Sequence, residues 1–203
     1  MARCDAGKAP VTERGESVTK LLISVAVALL VAGPASAQFK MADLGTLPGD
    51  ADSAARHINN RGEVFGTSGK HAFLWTADTG MIDLGILGQI GPTSFSEARA
   101  INDRGHGVGR SSIAPPGGPV HTFLWTADTG MIDLGTLGGS TSVTAINDRG
   151  DAVGTSATAS GDLHAFVWTA ETGMIDLGTL GADGSSHAGG SNELGQVVGA
   201  SSF

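Results

Sequence analysis

The chain has one cysteine, Cys4, and no tyrosine. A lone thiol excludes an internal disulfide framework and any cysteine-built metal centre. Basic residues are scarce, with 12 Lys and Arg against 20 Asp and Glu and a net charge of −8. An acidic surface repels phosphates and anionic headgroups, so nucleic acid is excluded as an expected partner. Long apolar runs are missing too. The longest, Leu21–Ala32, is broken by Ser24, and a spanning helix needs about 20 apolar residues. The sequence also lacks a nucleophile-elbow serine, a phosphate loop and a His-Glu-x-x-His helix. No catalytic residue, metal site or cofactor is therefore assigned, and the expectation leans away from an enzyme.

What is present begins with an address. Lys8, Arg14 and Lys20 form a basic leader ahead of Leu21–Ala32, Gly33 and Pro34 break the run, and Ala35-Ser36-Ala37 supplies a small-x-small cleavage site. This pattern predicts a cleaved export signal over residues 1–37 and a mature domain over 38–203, secreted, periplasmic or held at a bacterial cell surface. No integral membrane span is expected after cleavage. Cleavage removes Cys4 and leaves 8 basic and 17 acidic groups, a net charge of −9. Glycine makes up 29 of the remaining 166 residues, against a usual ~7%, and it recurs at fixed offsets as turn glycine does.

The second feature is repetition. FLWTADTGMIDLG occurs at Phe73–Gly85 and again at Phe123–Gly135, and FVWTAETGMIDLG spans Phe166–Gly178. Asn59, Asn102, Asn147 and Asn192 lie 43, 45 and 45 residues apart, a period typical of arrays of one supersecondary unit. Each unit holds four short apolar stretches, in the second unit Glu97–Asn102, His106–Ser111, His121–Trp125 and Met131–Gly135. None sustains a 3.6-residue period and all are short, so they are predicted strands. Asn102-Asp103-Arg104-Gly105 and Ala127-Asp128-Thr129-Gly130 have the chemistry of tight hairpins closed by a left-handed glycine. Phe73 and Trp75 face one side and Ala72 and Leu74 the other, so each sheet is expected to be covered on both faces.

The resulting fold expectation is all-β: a β-propeller-like array of four-stranded antiparallel meander blades, with a β-solenoid as the competing arrangement. Three complete units are expected, plus a partial blade assembled from both termini. That fourth blade takes a fourth strand from Phe39–Gly45 and two strands from His187–Ser201, without a His-Ala-Phe strand. The competing reading is a piece of a longer array, open at one edge and prone to self-association there.

These runs resemble the HAF-type extracellular repeat family, named for the triplet found here as His71-Ala72-Phe73 and His164-Ala165-Phe166. The similarity continues through the W-x-x-x-T-G-M-x-D-L-G-T-L-G-G and A-I-N-x-x-G-x-x-V-G patterns, visible in Trp125–Gly154, and covers nearly all of residues 39–200. It implies an exported bacterial repeat protein, largely without an assigned biochemical activity, and a non-catalytic binding or structural module is the functional expectation. His121-Thr122-Phe123 and Ser191–Gly195 depart from the pattern.

Candidate sites follow from the repeats. His71, His121 and His164 form a metal ring if their strands converge, or else satisfy neighbouring backbone groups. Trp75, Trp125 and Trp168 are either sugar-stacking platforms or packing between sheets, and packing is the expectation. Asp43, Asp83, Asp133 and Asp176 are candidate cation ligands or acid/base pairs, but are expected to accept backbone N–H bonds from the turn that follows. Asp50–Ser53 and Asn147–Asp151 are faintly like calcium loops and lack the full ligand spacing. The loops Thr67–Lys70, Ser112–Val120 and Ser156–Leu163 vary, and any extracellular ligand, with glycans as one candidate, is expected at their end. The alternatives are a glycan-active enzyme using aspartates of adjacent blades, or a truncated copy with no independent function.

Overall fold

The computed structural model describes residues 41–88, 90–114, 118–181 and 184–202. The expected export signal, the beginning of the expected strand at Phe39, and Pro115–Gly117 lie outside them. The chain divides into two units, Met1–Asp43 and Leu44–Phe203. In the first, Met41–Asp43 are neither strand nor helix. In the second, strands are the only regular elements among the described residues, where no helix is long and apolar enough to cross a membrane.

Three four-stranded antiparallel meanders follow one another. The first holds β1 (Ser53–Ile58), β2 (Val64–Ser68), β3 (His71–Thr76) and β4 (Gly80–Asp83), and the second holds β5 (Ser96–Ile101), β6 (Gly107–Ser112), β7 (Val120–Thr126) and β8 (Gly130–Asp133). The third holds β9 (Gly138–Ile146), β10 (Ala152–Thr158), β11 (Leu163–Thr169) and β12 (Gly173–Asp176). Among the described residues, a fourth sheet has β13 (Ser186–Ser191) and β14 (Val197–Ser201). The four stretches read from each repeat are thus its four strands. The hairpins form as their sequences require: Gly105 N–H bonds the Asn102 carbonyl at 3.1 Å, and Gly105 has φ +82°, a region closed to most side chains.

Sheets stack in chain order. β5 packs across β1–β3, β9 across β5–β7, and β13 across β9–β11. Ala72 and Leu74 of the first sheet meet Ala98, Ile101, Phe123 and Trp125 of the second, while Leu124 and Val108 face Val143, Ala152 and Trp168 of the third. Both faces of the middle sheets are therefore buried, as the alternation requires. A bulge between Ala98 and Ala100 sends these two residues to opposite interfaces, since one extra residue reverses the facing of a strand.

A glycine in each second strand allows this packing. Gly66, Gly109 and Gly154 lie opposite Phe73, Phe123 and Phe166 in register. A Cβ at any of them would overlap the phenyl ring and a first-strand carbonyl. The far end of each ring lies over the glycine, and all three phenylalanines are fully buried.

One expectation fails. Met41–Gly45 form no strand, although the sequence places a fourth-type strand over Phe39–Gly45. Fourth strands pair only with the third strand of their own sheet, as β4 does with β3, and among the described residues the fourth sheet has no third strand. The connector after that segment is retained. Ser53 Oγ donates to the Gly45 carbonyl at 2.6 Å and Leu47 N–H to Ser68 Oγ at 2.9 Å. Ser96 with Gly85 and Leu87 with Ser111 repeat this clasp on the second sheet.

Candidate functional site

Strand order places the start of every third strand beside the end of every fourth. There His71 Nδ1 lies 2.7 Å from Asp83 Oδ2, His121 Nδ1 2.7 Å from Asp133 Oδ2, and His164 Nδ1 2.8 Å from Asp176 Oδ2. The other carboxylate oxygen of each Asp accepts the N–H of Gly85, Gly135 or Gly178, at 2.8, 2.8 and 2.7 Å. The expected role of the aspartates, accepting backbone N–H groups in the following turn, is what these bonds provide. The histidines bond a carboxylate rather than the backbone group expected, because the aspartate that ends the fourth strand pairs with the residue two after the histidine, on the same face. The Asp176 carboxyl lies below the ordinary range: partial desolvation pushes it up, but the His164 bond, the Gly178 N–H and the His164 charge outweigh that.

Three dyads thus stand at one end of the sheets, each partly exposed. Each belongs to a single sheet. Among the described residues, no group of three or more His, Cys, Asp or Glu side chains is placed to hold a metal ion. Beside the first dyad, a recess of about 500 Å³ is lined by Asp50, Asp52, Lys70, His71 and Asp83. Asp50 spends its carboxylate on Ser68 Oγ at 2.8 Å. The other calcium-like segment is also committed, because Asp151 accepts from Asn147 Nδ2 at 3.0 Å and pairs with Arg149.

The tryptophans follow the stacking. Trp125 packs on the first interface and Trp168 on the second, each half-buried. Trp75, in the first sheet, is also half-buried.

The opposite end carries residues whose role was hidden in the sequence. Asn59 Nδ2 donates to the Asn102 carbonyl at 2.9 Å, Asn102 Nδ2 to Asn147 at 2.8 Å, and Asn147 Nδ2 to Asn192 at 2.9 Å. Parallel to this ladder, the N–H groups of Asn60, Asp103 and Asp148 bond the carboxylates of Asp103, Asp148 and Glu193. Asp103 is held below the ordinary carboxylate range by the Asn60 backbone and side-chain bonds, against a smaller desolvation and with a still weaker pull from Arg61. The near-constant asparagine spacing was the available signal. So was the separation of 12 residues in every His–Asp pair, fixed while the preceding loops vary.

The fold and these two ends define an all-β protein of stacked meander sheets with its recurrent polar residues at the sheet ends. No protein-family model, curated protein or solved structure matches the chain.

Proposed function

We propose that this chain is an exported, non-catalytic repeat protein of the HAF type, working as a binding or structural module in the secreted, periplasmic or cell-surface space. One observation carries the reading: the recurrent polar side chains are occupied in holding sheets together. Each dyad aspartate has one oxygen on a histidine and the other on a backbone N–H, and the asparagines tie sheet to sheet. An acid/base pair for glycoside hydrolysis needs two carboxyls facing one bond, so the glycan-active alternative draws less support. The exposed, variable surface is the loop end beside the dyads, where scaffolds usually carry recognition.

The sheets are proposed to fan as propeller blades. Consecutive up-and-down meanders, each covered by the next, support this arrangement. The outer ends leave apolar groups uncovered, Ile58 at 62% and Val198 at 69% exposure, which supports association with another folded surface.

The test is the exported protein on a glycan array, with terminal sequencing of the secreted product. A start at Gln38 and saturable binding, without turnover, are the expected results. Turnover of a polysaccharide that Asp133→Asn abolishes would replace the reading with the enzymatic one. A product retaining residues 1–37 removes the export step. Small-angle scattering separates a compact fan from an elongated solenoid-like stack.

A further inference from the structure

The chain has five methionines, and three of them, Met81, Met131 and Met174, share one place in the fold: the second residue of a fourth strand. Each lies directly opposite a tryptophan of the third strand, in the pairs Trp75↔Met81, Trp125↔Met131 and Trp168↔Met174. Residues paired in this way share a face, with Cβ atoms about 5 Å apart. That is within the reach at which a thioether sulfur meets an aromatic edge. All six side chains are half-buried.

Their exposure comes from the edge of each sheet. β4, β8 and β12 each pair with the third strand of their own sheet and, among the described residues, with no strand on the other side. Met131 shows this best. Its sheet is covered on both faces, and Met131 and Trp125 pack together at the margin of the first interface, still partly open to solvent. Residues 41–202 hold no cysteine and no tyrosine. Methionine sulfur is therefore the most readily oxidised atom of the repeats, and the indole beside it comes next.

We propose that Met81, Met131 and Met174 are sulfoxidation sites that consume hypohalous acids ahead of the tryptophan opposite each. The sulfur lone pair attacks the halogen and hydroxide leaves. Water then forms the S–O bond, expelling halide and two protons. In net terms one hypohalous acid yields one sulfoxide, one halide ion and one proton; sulfur loses two electrons and the halogen gains them. The product is a polar sulfoxide at the sheet edge and an intact indole. The inference rests on neither export nor family.

The experiment treats the full chain with rising doses of hypochlorous acid and follows every methionine and tryptophan by peptide mass spectrometry. Met41, fully exposed and outside any strand, is the reference for an unshielded thioether. Met81, Met131 and Met174 are each expected to gain one oxygen atom after Met41 and before the tryptophan opposite is modified. Met131→Leu keeps an apolar side chain of similar volume, a swap that cores tolerate. In that variant the dose that modifies half of Trp125 should fall, while the doses for Trp75 and Trp168 stay where they were. Trp125 oxidised while Met131 is still intact, or a Trp125 dose that Met131→Leu leaves unchanged, overturns the inference. The order of oxidation is read on the unaltered chain, so it decides the matter even where the leucine variant fails to fold.

Discussion

Asn102 Nδ2 donates to the carbonyl of Asn147, 2.8 Å away and 45 residues along the chain, across the interface of the second and third sheets. The same side chain accepts the N–H groups of Arg104 and His106 through Oδ1 at 3.0 and 2.9 Å. It closes its own hairpin and ties that hairpin to the next one. Asn102→Ala strands buried donors, and a loss of about 2–4 kcal/mol is expected in urea unfolding. Asn102→Asp keeps the acceptor and should cost less. Equal losses for both variants would mean that the hairpin acceptor contributes nothing, and an Asn102→Asp protein as stable as its parent would mean the same of the tie between sheets.

Gly109 lies between the Phe123 ring and the Glu97 carbonyl, and a methyl group there overlaps both. Gly109→Ala should destabilise by about 3 kcal/mol or prevent folding, as overpacking into backbone does. The control is Gly130→Ala, at a left-handed turn with open space around it, where only the smaller backbone strain applies. Melting temperatures rank the two, and a Gly109→Ala protein as stable as its parent contradicts the packing described.

Ser191 stands where the equivalent first-strand positions hold Ile101 and Ile146, as their pairing with Val197, Gly107 and Ala152 indicates. Its Oγ is buried without a hydrogen-bond partner. Ser191→Ile is expected to stabilise the fourth sheet by about 1 kcal/mol, removing an unpaired hydroxyl and adding apolar contact. Exchange protection in β13 should rise with it, and a fall in protection refutes the assignment.

Acid should loosen the array in two steps. The His106 ring titrates below its ordinary 6.5 because partial burial, and then Arg104 and Arg61, disfavour its charge, against a weaker pull from Asp128. Its stabilising contribution is complete above pH 6.5 and is lost as pH falls through its lowered value. Asp103 and Asp176, both below the ordinary 3.8, contribute above that pH and lose their contribution as pH falls through theirs. The melting temperature should therefore drop from pH 6.5 downward and again below about pH 4. His106→Gln should flatten the upper step alone, and an unchanged upper step assigns it to another group.

The His–Asp pairs are structural in this account. Asp133 is 41% exposed at its side chain, so Asp133→Asn should cost no more than about 1 kcal/mol. A larger loss in double-mutant cycles with His121→Ala would assign the pair a weightier role in the fold.

Sequence alone determined the strands, the hairpins and the repeat, because each is local: Asn-x-x-Gly closes a turn, and alternating Phe-x-Trp and Ala-x-Leu bury two faces. It also marked the dyad residues, without revealing that His71 bonds Asp83, since that needs β3 and β4 in register. Tertiary structure decided the rest. Only stacking sets the Asn102 amide against the next hairpin, and only pairing decides whether a stretch such as Met41–Gly45 becomes a strand. A strand exists by virtue of the edge it pairs with, and that edge lies in a distant part of the chain.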